Sequence, residues 1–180
     1  MQPQLNHVYF AGGCFWCMEP VFDSIDGVTN TVVGYMGGQP DTANYEDVSS
    51  GKTQHIEVVQ VTYNPQKTSY LTLLDAFWQS IDPTDQYGQF ADRGYQYQTA
   101  VFFKTQLQKD AIHKSLSNLK SRHIFDAPIV TKILPESPFY EAESYHQNYY
   151  QKNTLHYQSY KVGSGRAGFL KKVWGQPTDN

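Results

Sequence analysis

The sequence predicts an α+β fold, a two-layer α/β sandwich in which helices pack on a mixed β-sheet. Short β-rich segments are interspersed with segments of helical periodicity, which is the pattern of a sheet covered by helices. The chain of 180 residues carries no internal repeat, low-complexity segment or linker. This length suits one domain with a substantial core, so we expect a single domain over residues 1–180.

The first half of the chain contains segments typical of strands and one typical of a helix. His7–Ala11, Val28–Met36 and His55–Tyr63 are rich in β-branched and aromatic residues, which favour strands. Met18–Asp26 places its apolar side chains at helical spacing and is followed by a glycine, a common helix end. Gln39–Thr53 has neither pattern, so we expect a long loop there.

The second half continues the alternation of helices and strands. Tyr70–Ile81 is an amphipathic helix by its spacing of large apolar residues, and the polar, tyrosine-rich Asp82–Tyr97 predicts a loop. The tail from Tyr160 onward predicts no definite element. The other expected elements are a strand over Thr99–Phe103, a helix over Thr105–Ser121, a strand over Ile129–Leu134 and a helix over Glu141–Lys152.

Charge and composition exclude several function classes. The formal net charge is −3 and the basic residues are scattered, so no positive field favours nucleic acid. No apolar run has the length of a membrane span, and the first residues lack the pattern of a signal peptide. Two closely spaced cysteines do not form a secreted disulfide framework. We expect a cytoplasmic monomer that binds neither nucleic acid nor membrane.

Both cysteines of the chain, Cys14 and Cys17, lie in one short run. A strand-like segment and two glycines precede Cys14, and a helix-capable segment follows, which places Cys14 at or next to a helix N-terminus. Unpaired N–H groups and the helix dipole favour an anion at that position, and the thiolate is the reactive form of cysteine. We expect a thiol nucleophile with an apolar pocket formed by Phe15 and Trp16.

The spacing of the two cysteines allows more than one interpretation. On a helix, side chains at i and i+3 lie about 5–6 Å apart at Cβ, within reach of a disulfide after modest adjustment. Alternatively, Cys14 and Cys17 are buried small hydrophobic residues. A zinc site is weakly indicated, because a tetrahedral site takes four ligands and His55 or His146 would have to complete it.

Glu57 is the acidic residue with the most informative position. Strand alternation puts it on the same face as Val59, Val61 and Tyr63, a largely apolar face on which the carboxyl could be buried. Burial raises the pKa of a carboxyl, and a neutral carboxyl can donate a proton. From the residues alone, the favoured interpretation is that Glu57 faces water or pairs with Lys52 near the strand end.

Polar aromatic residues cluster in the expected loops. A group of buried tyrosines could bind one ligand oxygen through their hydroxyls, although each alone is more often a packing residue. Asp92 and Arg93 could simply stabilise their loop, and His146 could pair with Cys14 as in a hydrolase or be a structural histidine. The loop tyrosines are Tyr45, Tyr87, Tyr95 and Tyr97.

Several motifs together resemble the A type of peptide methionine sulfoxide reductase. The run Gly13–Trp16 after a strand resembles the first signature of that family. The similarity extends over about residues 6 to 150, in the family's order. The other matching segments are Gly34–Gly38, Tyr45, His55–Val59, Asp82–Thr84, Asp92–Tyr97 and His146–Tyr149.

The resemblance implies a role for each candidate residue in a single catalytic domain. It implies that Cys14 is the nucleophile, that Glu57 is the acid, and that Tyr45 and Tyr97 donate hydrogen bonds to the sulfoxide oxygen. The remaining implied roles are a pocket for the methyl group on sulfur, formed by Phe15 and Trp16, and support of the site by Asp92. The product on the enzyme would be a sulfenic acid.

The resemblance also implies the substrates and the reductant. The substrates would be methionine-S-sulfoxide, free or in oxidised proteins, and the reductant an external thiol, most simply thioredoxin, with no bound cofactor. The chain departs from many members of the family, which have cysteines near the C-terminus and glycine at position 17. Cys17 is therefore the only other thiol in the chain that could resolve a sulfenic acid on Cys14.

Two other function classes compete with this interpretation. A strand, a Cys-x-x-Cys pair and a helix in that order are also typical of a thioredoxin-like dithiol-disulfide oxidoreductase. That alternative gives no use to Glu57 or to the tyrosines. A non-enzymatic binding module that uses the aromatic surface would leave the placement of Cys14 unexplained.

Overall fold

The computed structural model describes residues 4–175. Its strands are β1 (Asn6–Gly12), β2 (Val28–Met36), β3 (Ile56–Tyr63), β4 (Gly88–Gln89), β5 (Asp92–Arg93), β6 (Thr99–Phe103), β7 (Lys132–Pro135) and β8 (Phe139–Glu141). Its α-helices are α1 (Phe15–Asp23), α2 (Tyr45–Ser49), α3 (Tyr70–Trp78), α4 (Gln106–Ser121), α5 (Tyr149–Lys152), α6 (Thr154–Gly163) and α7 (Arg166–Trp174). Short 3-10 turns cover Pro40–Thr42 and Tyr95–Tyr97.

The main sheet has six strands in the order β7-β6-β1-β3-β2-β8. All neighbours are antiparallel except β6 and β7, which run parallel, so the sheet is mixed as predicted. Glu57 on β3 lies opposite Tyr35 on β2. The two shortest strands, β4 and β5, form a separate hairpin. None of the helices described here is long and apolar enough to cross a bilayer.

Strand alternation divides the buried residues into two layers. The larger core lies between one sheet face and the helices, and a smaller cluster that includes Met36, Ile56 and Val58 covers the other face. Glu57 belongs to the sheet face of Val59 and Val61, as alternation predicts. The fold therefore confirms the α+β sandwich and brings the acidic residue to the side covered by helices. The largest fully buried side chains include Trp78, Tyr35, Phe10, Phe15 and Phe22.

Several predicted bounds are wrong for identifiable reasons. Helix α1 begins at Phe15 and ends at Asp23, earlier than the predicted 18–26, because Cys14 itself is the N-cap. The predicted loop over 39–53 contains α2, where the side chain of Asn44 caps the helix by accepting the N–H of Asp47 at 3.0 Å. The predicted loop over 82–97 contains β4 and β5, and the last predicted strand lies a few residues later, as β7.

The predicted helix over 141–152 is wrong for most of its length. Strand β8 ends at Glu141, turns follow, and only α5 is helical. The side chain of Gln147 takes the place of a further strand beside Val33: it accepts the Val33 N–H at 2.9 Å and donates to the Val33 carbonyl at 2.8 Å. These bonds fasten the turn segment to the edge of strand β2. The tail, which gave no clear pattern, forms α6 and α7.

Candidate active site

Cys14 lies at the junction of β1 and α1, as predicted. It is the N-cap residue of α1 and its residue surface is 6% exposed. Gly13 makes the turn with a φ of +86°, and a Cβ at this position would lie 2.6 Å from the Cβ of Gln89. Only glycine fits this turn, both because of its backbone conformation and because of the close approach.

The proton affinity of Cys14 differs from the prediction. Burial raises the pKa of the Cys14 thiol well above its usual value, and the hydrogen bond that it donates to Cys17 and the charge of Glu57 raise it further. The first backbone N–H of α1, that of Phe15, donates a hydrogen bond to the carboxyl of Glu57 at 3.0 Å rather than to Cys14. Cys14 is therefore a protonated thiol in the folded protein, because desolvation outweighs the helix N-terminus.

Glu57 is buried, and the interpretation that it faces water or pairs with Lys52 is wrong. Its residue surface is 3% exposed, and its Oε2 accepts the Phe15 N–H at 3.0 Å. Burial raises the pKa of the Glu57 carboxyl to about 8, with a smaller increase from the charge of Asp92. The hydrogen bond from Phe15 acts in the opposite direction and only reduces the shift. At neutral pH this carboxyl carries a proton beside the thiol of Cys14.

Tyr45 and Tyr97 converge on the same pair of groups from two different segments. Tyr45 is the first residue of α2 and Tyr97 ends the second 3-10 turn, and both are half-buried. Burial raises the pKa of both phenols, and the charges of Glu57 and Cys14 raise them further. Both hydroxyls are thus protonated donors close to the thiol and the carboxyl.

The other two loop tyrosines lie outside this cluster. Tyr87 and Tyr95 are 65% and 42% exposed, and the ring of Tyr95 packs under the ammonium group of Lys132. Sequence patterns alone did not separate these tyrosines from Tyr45 and Tyr97.

The two aromatic residues after Cys14 have different environments. Phe15 is 1% exposed, and its ring centre lies 5.8 Å from Tyr35 and 5.1 Å from His146. Trp16 is half-buried and stacks on Tyr149 with ring centres 3.9 Å apart. Trp16 thus presents apolar surface near the thiol, and Phe15 packs beneath it.

His146 orients Trp16 and does not pair with Cys14. Its Nδ1 accepts the indole N–H of Trp16 at 3.0 Å, so the neutral ring carries its proton on Nε2. Burial lowers the pKa of His146 and keeps it neutral. His55 is equally engaged, through the carbonyl of Gln39 at 2.8 Å and the N–H of Gly38 at 3.2 Å. Neither histidine joins the cysteines, and residues 4–175 contain no group of three or more potential metal ligands.

Asp92 accepts a hydrogen bond from the hydroxyl of Tyr160, a residue of α6 that the sequence did not single out. Burial raises the pKa of Asp92. The charge of Asp92 also makes a small contribution that raises the pKa of Glu57 and of Cys14. Tyr160 in turn contacts the edge of Trp16, with ring centres 5.9 Å apart.

Cys17 is 3% exposed and remains a free thiol. It lies one turn into α1, and its N–H donates to the carbonyl of Cys14 at 3.1 Å. The hydrogen bond from the Cys14 thiol lowers the pKa of Cys17 against the opposing effect of burial. The two sulfur atoms are therefore adjacent in the reduced protein, and Cys17 is the one that ionises more readily.

Comparison with known proteins identifies the family. Residues 6–178 match the sequence model of the family described as peptide methionine sulfoxide reductase. The chain belongs to this family. Its members reduce methionine sulfoxide, so this protein is an oxidoreductase that returns methionine sulfoxide to methionine and repairs oxidised proteins. The thioredoxin-like alternative is not favoured.

Individual relatives agree with this assignment. The peptide methionine sulfoxide reductase MsrA of Bacillus subtilis (strain 168) is 52% identical over 166 residues, which cover 92% of this chain and 94% of the relative. The crystal structure of reduced Mxr1 from Saccharomyces cerevisiae aligns with a TM-score of 0.79 at 31% identity, covering 84% of this chain and 87% of that one. Mxr1 in complex with Trx2 shares the fold, with a TM-score of 0.56, 24% identity, and coverage of 81% and 85%.

Proposed function

We propose that Cys14 attacks the sulfoxide sulfur while Glu57 delivers a proton to the sulfoxide oxygen. The observation that carries this assignment is the contact of Glu57 with the N–H of Phe15, which fixes a buried, protonated carboxyl one residue from the nucleophile. Bare oxide is a very poor leaving group, so protonation of the oxygen is the main chemical requirement.

The proposed step balances without a cofactor. The thiol of Cys14 gives up its proton as its sulfur bonds to the sulfoxide sulfur, and the oxygen is then transferred to Cys14. The products are a thioether and a sulfenic acid on Cys14, so the sulfoxide is reduced by two electrons and the thiol is oxidised by two. Because the Cys14 thiol has a raised pKa, we expect it to be deprotonated only when the bound sulfoxide has accepted a proton from Glu57.

Tyr45 and Tyr97 are proposed to donate hydrogen bonds to the same oxygen. Within residues 4–175, neither hydroxyl is engaged by another protein group at hydrogen-bond distance, although both lie near Cys14 and Glu57. Donors fixed before the substrate arrives stabilise the charge that develops on oxygen without reorganisation.

We propose that Trp16, backed by Phe15, binds the methyl group on the sulfoxide sulfur. The stacking on Tyr149 and the bond to His146 hold the indole in one orientation, which suits a pocket selective for a small apolar group. A fixed methyl pocket and a fixed oxygen site also discriminate between sulfoxide epimers, and the S form is proposed. Asp92 would support the site through Tyr160, which contacts Trp16.

Cys17 is proposed to resolve the sulfenic acid by forming a disulfide with Cys14. Its sulfur is adjacent to that of Cys14, and the chain has only these two cysteines. An external thiol, proposed to be a thioredoxin-type protein, would then reduce the disulfide. The complex of the related Mxr1 with Trx2 supports this choice. No bound cofactor is needed, because thiols supply both electrons.

The cellular setting follows from these proposals. Substrates are proposed to be free methionine sulfoxide and oxidised proteins, since an exposed methionine side chain is all that the site must accept. A thiol-driven cycle requires a reducing compartment, so we propose that the protein acts in the cytoplasm, and that it does so as a monomer.

A single-turnover assay tests the assignment of Cys14. Cys14→Ser and Cys17→Ser are each mixed with a methionine sulfoxide peptide without reductant, and methionine is quantified. Cys14→Ser is expected to form none, whereas Cys17→Ser completes one turnover. Methionine formation by folded Cys14→Ser would show that another residue is the nucleophile. A parallel insulin-disulfide reduction assay is expected to be negative for the unaltered protein.

A further inference from the structure

Arg166, the first residue of α7, buries its guanidinium beside the two cysteines. Its residue surface is 2% exposed. Nη2 donates to the carbonyl of Gly12 at 2.8 Å, and Nη1 donates to the carbonyl of Ser80 at 2.6 Å. Nη1 also lies 3.5 Å from the Sδ of Met18. Gly12 and Met18 flank the cysteine run on either side, so the cation is held against the segment that carries both thiols.

The charge of Arg166 has no carboxylate partner at short range. Within the described part of the chain, the salt bridges at N–O distances up to 4.0 Å are Arg93–Asp85 and His146–Glu143. The acceptors that Arg166 does contact are neutral, and its remaining face lies 4.8 Å from the ring centre of Phe90. Burial raises the pKa of Asp92 and the charge of Arg166 acts to lower it, but no carboxylate of the described residues lies within salt-bridge distance of Arg166. A buried cation with only a distant counter-ion is costly, so this arrangement favours an anion that forms nearby.

Cys17 is the cysteine that shares a cavity with the guanidinium group of Arg166. Cys17, Ser80 and Arg166 line one cavity of about 370 Å³, together with Tyr157 and Lys161 of α6. Cys14, by contrast, faces Glu57 and the two tyrosines. The positive charge therefore acts on the second cysteine from the side away from the proposed sulfoxide site.

We propose that Arg166 stabilises the thiolate of Cys17 when Cys17 attacks the sulfenic acid on Cys14. The inference rests on the proposed resolving role of Cys17. In this step a bond forms between the two sulfur atoms and the bond between the Cys14 sulfur and its oxygen breaks. The oxygen leaves as water after taking up a proton, and the Cys17 proton balances the equation. Arg166 is thus a positioning and electrostatic residue of the second step.

The charged groups around Cys17 affect the pKa of its thiol. In the reduced protein the hydrogen bond from Cys14 lowers the pKa of Cys17 most, burial and the carboxylate of Asp92 raise it, and Arg166 and Lys161 lower it further. The thiol of Cys14 donates a hydrogen bond to Cys17. The other titratable groups that interact with Cys17 are Glu57, Tyr157 and Tyr160.

Rapid-mixing kinetics test the proposal in the full chain. The unaltered protein, Arg166→Gln and Arg166→Lys are oxidised with one equivalent of methionine sulfoxide, and disulfide formation is followed by acid quenching and mass spectrometry. Arg166→Gln can still donate to a carbonyl but lacks the charge, so resolution is expected to slow about tenfold at neutral pH, with its pH profile moved to higher pH. Arg166→Lys keeps the charge and is expected to restore most of the rate.

The controls separate this inference from the resolving role itself. Arg122→Met removes an exposed arginine that also packs on an aromatic ring, and is expected to resolve at the normal rate. If the unaltered protein forms no disulfide, the resolving role fails. If it does, and Arg166→Gln matches its rate and pH profile, the role of Arg166 fails.

A measurement without any change at Arg166 covers the case in which Arg166→Gln does not fold. Alkylation of Cys17 is followed over pH by mass spectrometry in Cys14→Ala, which lacks the side-chain donor that also lowers the pKa of Cys17. An apparent pKa below that of an unperturbed cysteine supports the proposal. A value at or above it, with Arg166 in place, overturns the proposal.

Discussion

The carboxyl of Glu57 accepts the backbone N–H of Phe15 at 3.0 Å, so the first N–H of helix α1 is directed to the acid rather than to the thiol of Cys14. This bond orients the carboxyl but does not ionise it, because burial keeps its pKa at about 8. The site therefore stores a proton where the sulfoxide oxygen must receive one. The thiol of Cys14 also stays protonated until the substrate arrives.

The first prediction concerns the rate of the reductase step. Glu57→Gln keeps an oxygen that can accept the Phe15 N–H but removes the acidic proton, so single-turnover methionine formation at pH 7 is expected to slow about 10²-fold or more. In the unaltered protein the rate is expected to fall as pH rises through about 8, as Glu57 ionises. That alkaline decrease should be absent from Glu57→Gln. A near-normal rate in the variant would remove Glu57 from the mechanism.

The second prediction concerns stability. The folded protein holds a proton on Glu57 up to about pH 8, whereas the unfolded chain releases it near pH 4.3, so the folded state binds more protons between these values. The free energy of unfolding must therefore fall as pH rises across this window. Glu57→Gln removes this dependence and is expected to raise Tm at pH 8 by several degrees more than at pH 5, at about 2–4 °C per kcal/mol.

Thermal unfolding of Glu57→Gln and Glu141→Gln at both pH values measures this effect. Glu141 is exposed on the edge strand β8 and serves as the matched control, with little change expected. An equal Tm shift of Glu57→Gln at pH 5 and pH 8 would contradict a raised pKa for Glu57. A stabilised but slow variant would show that the acid is retained at a cost to folding.

The third prediction concerns the two tyrosines. Either Tyr45→Phe or Tyr97→Phe leaves one donor to the sulfoxide oxygen, so each is expected to have a mild effect on the first turnover. The double variant should slow the first turnover by more than the loss of a single hydrogen bond would, because the charge that develops on the oxygen then lacks both donors. Rapid-quench measurement of all three proteins decides the matter. Shared donation is excluded by an inactive single variant or by a double variant no slower than the singles.

Tyr95→Phe is the matched control for these variants. It changes a tyrosine two residues before Tyr97 that is 42% exposed and lies outside the site. Its rate is expected to equal that of the unaltered protein.

Local sequence signals predicted the strands well because alternation and β-branched content act over a few residues. They placed β2 without error and put Glu57 on the face of Val59 and Val61, but the residues alone favoured a Glu57 that faces water or pairs with Lys52, and it is buried. They did not predict the turns after β8, because Gln147 pairs with Val33 across 114 positions of sequence. A helical pattern in residues 141–152 cannot show that Gln147 will form hydrogen bonds with the backbone of a distant strand.

Some features of the candidate site could be predicted from the local sequence, and others depend on the whole fold. The placement of Cys14 followed from the strand, the two glycines and the helix, whereas its raised pKa depends on burial created by the whole fold. The convergence of Tyr45 and Tyr97 on Glu57 came from the family resemblance rather than from spacing. Tyr160 and Arg166 lie on helices that gave no clear pattern, and each reaches the site through contacts with residues far away in the chain.

The last prediction concerns the fate of Cys14 after one turnover. Burial could hold Cys17 inert, in which case an external thiol would reduce Cys14 directly. The structure favours resolution, because the two sulfur atoms are adjacent. The hydrogen bond from the Cys14 thiol lowers the pKa of Cys17 in the reduced protein, and the nearby cations Arg166 and Lys161, which lower it further, remain after Cys14 is oxidised. Mass spectrometry after one equivalent of sulfoxide, without reductant, is expected to show a loss of two hydrogens and no titratable thiol.

The variant Cys17→Ser gives a second test of the internal disulfide. It is expected to finish the first turnover and to accumulate a sulfenic acid that a dimedone-type reagent traps, with thioredoxin-driven cycling lost. The same trapped adduct in the unaltered protein, with Cys17 still free, would rule out the internal disulfide. In that case Cys17 would only accept the hydrogen bond of the Cys14 thiol and would take no part in the redox cycle. The reductant would then have to reach Cys14 through the side that binds the sulfoxide.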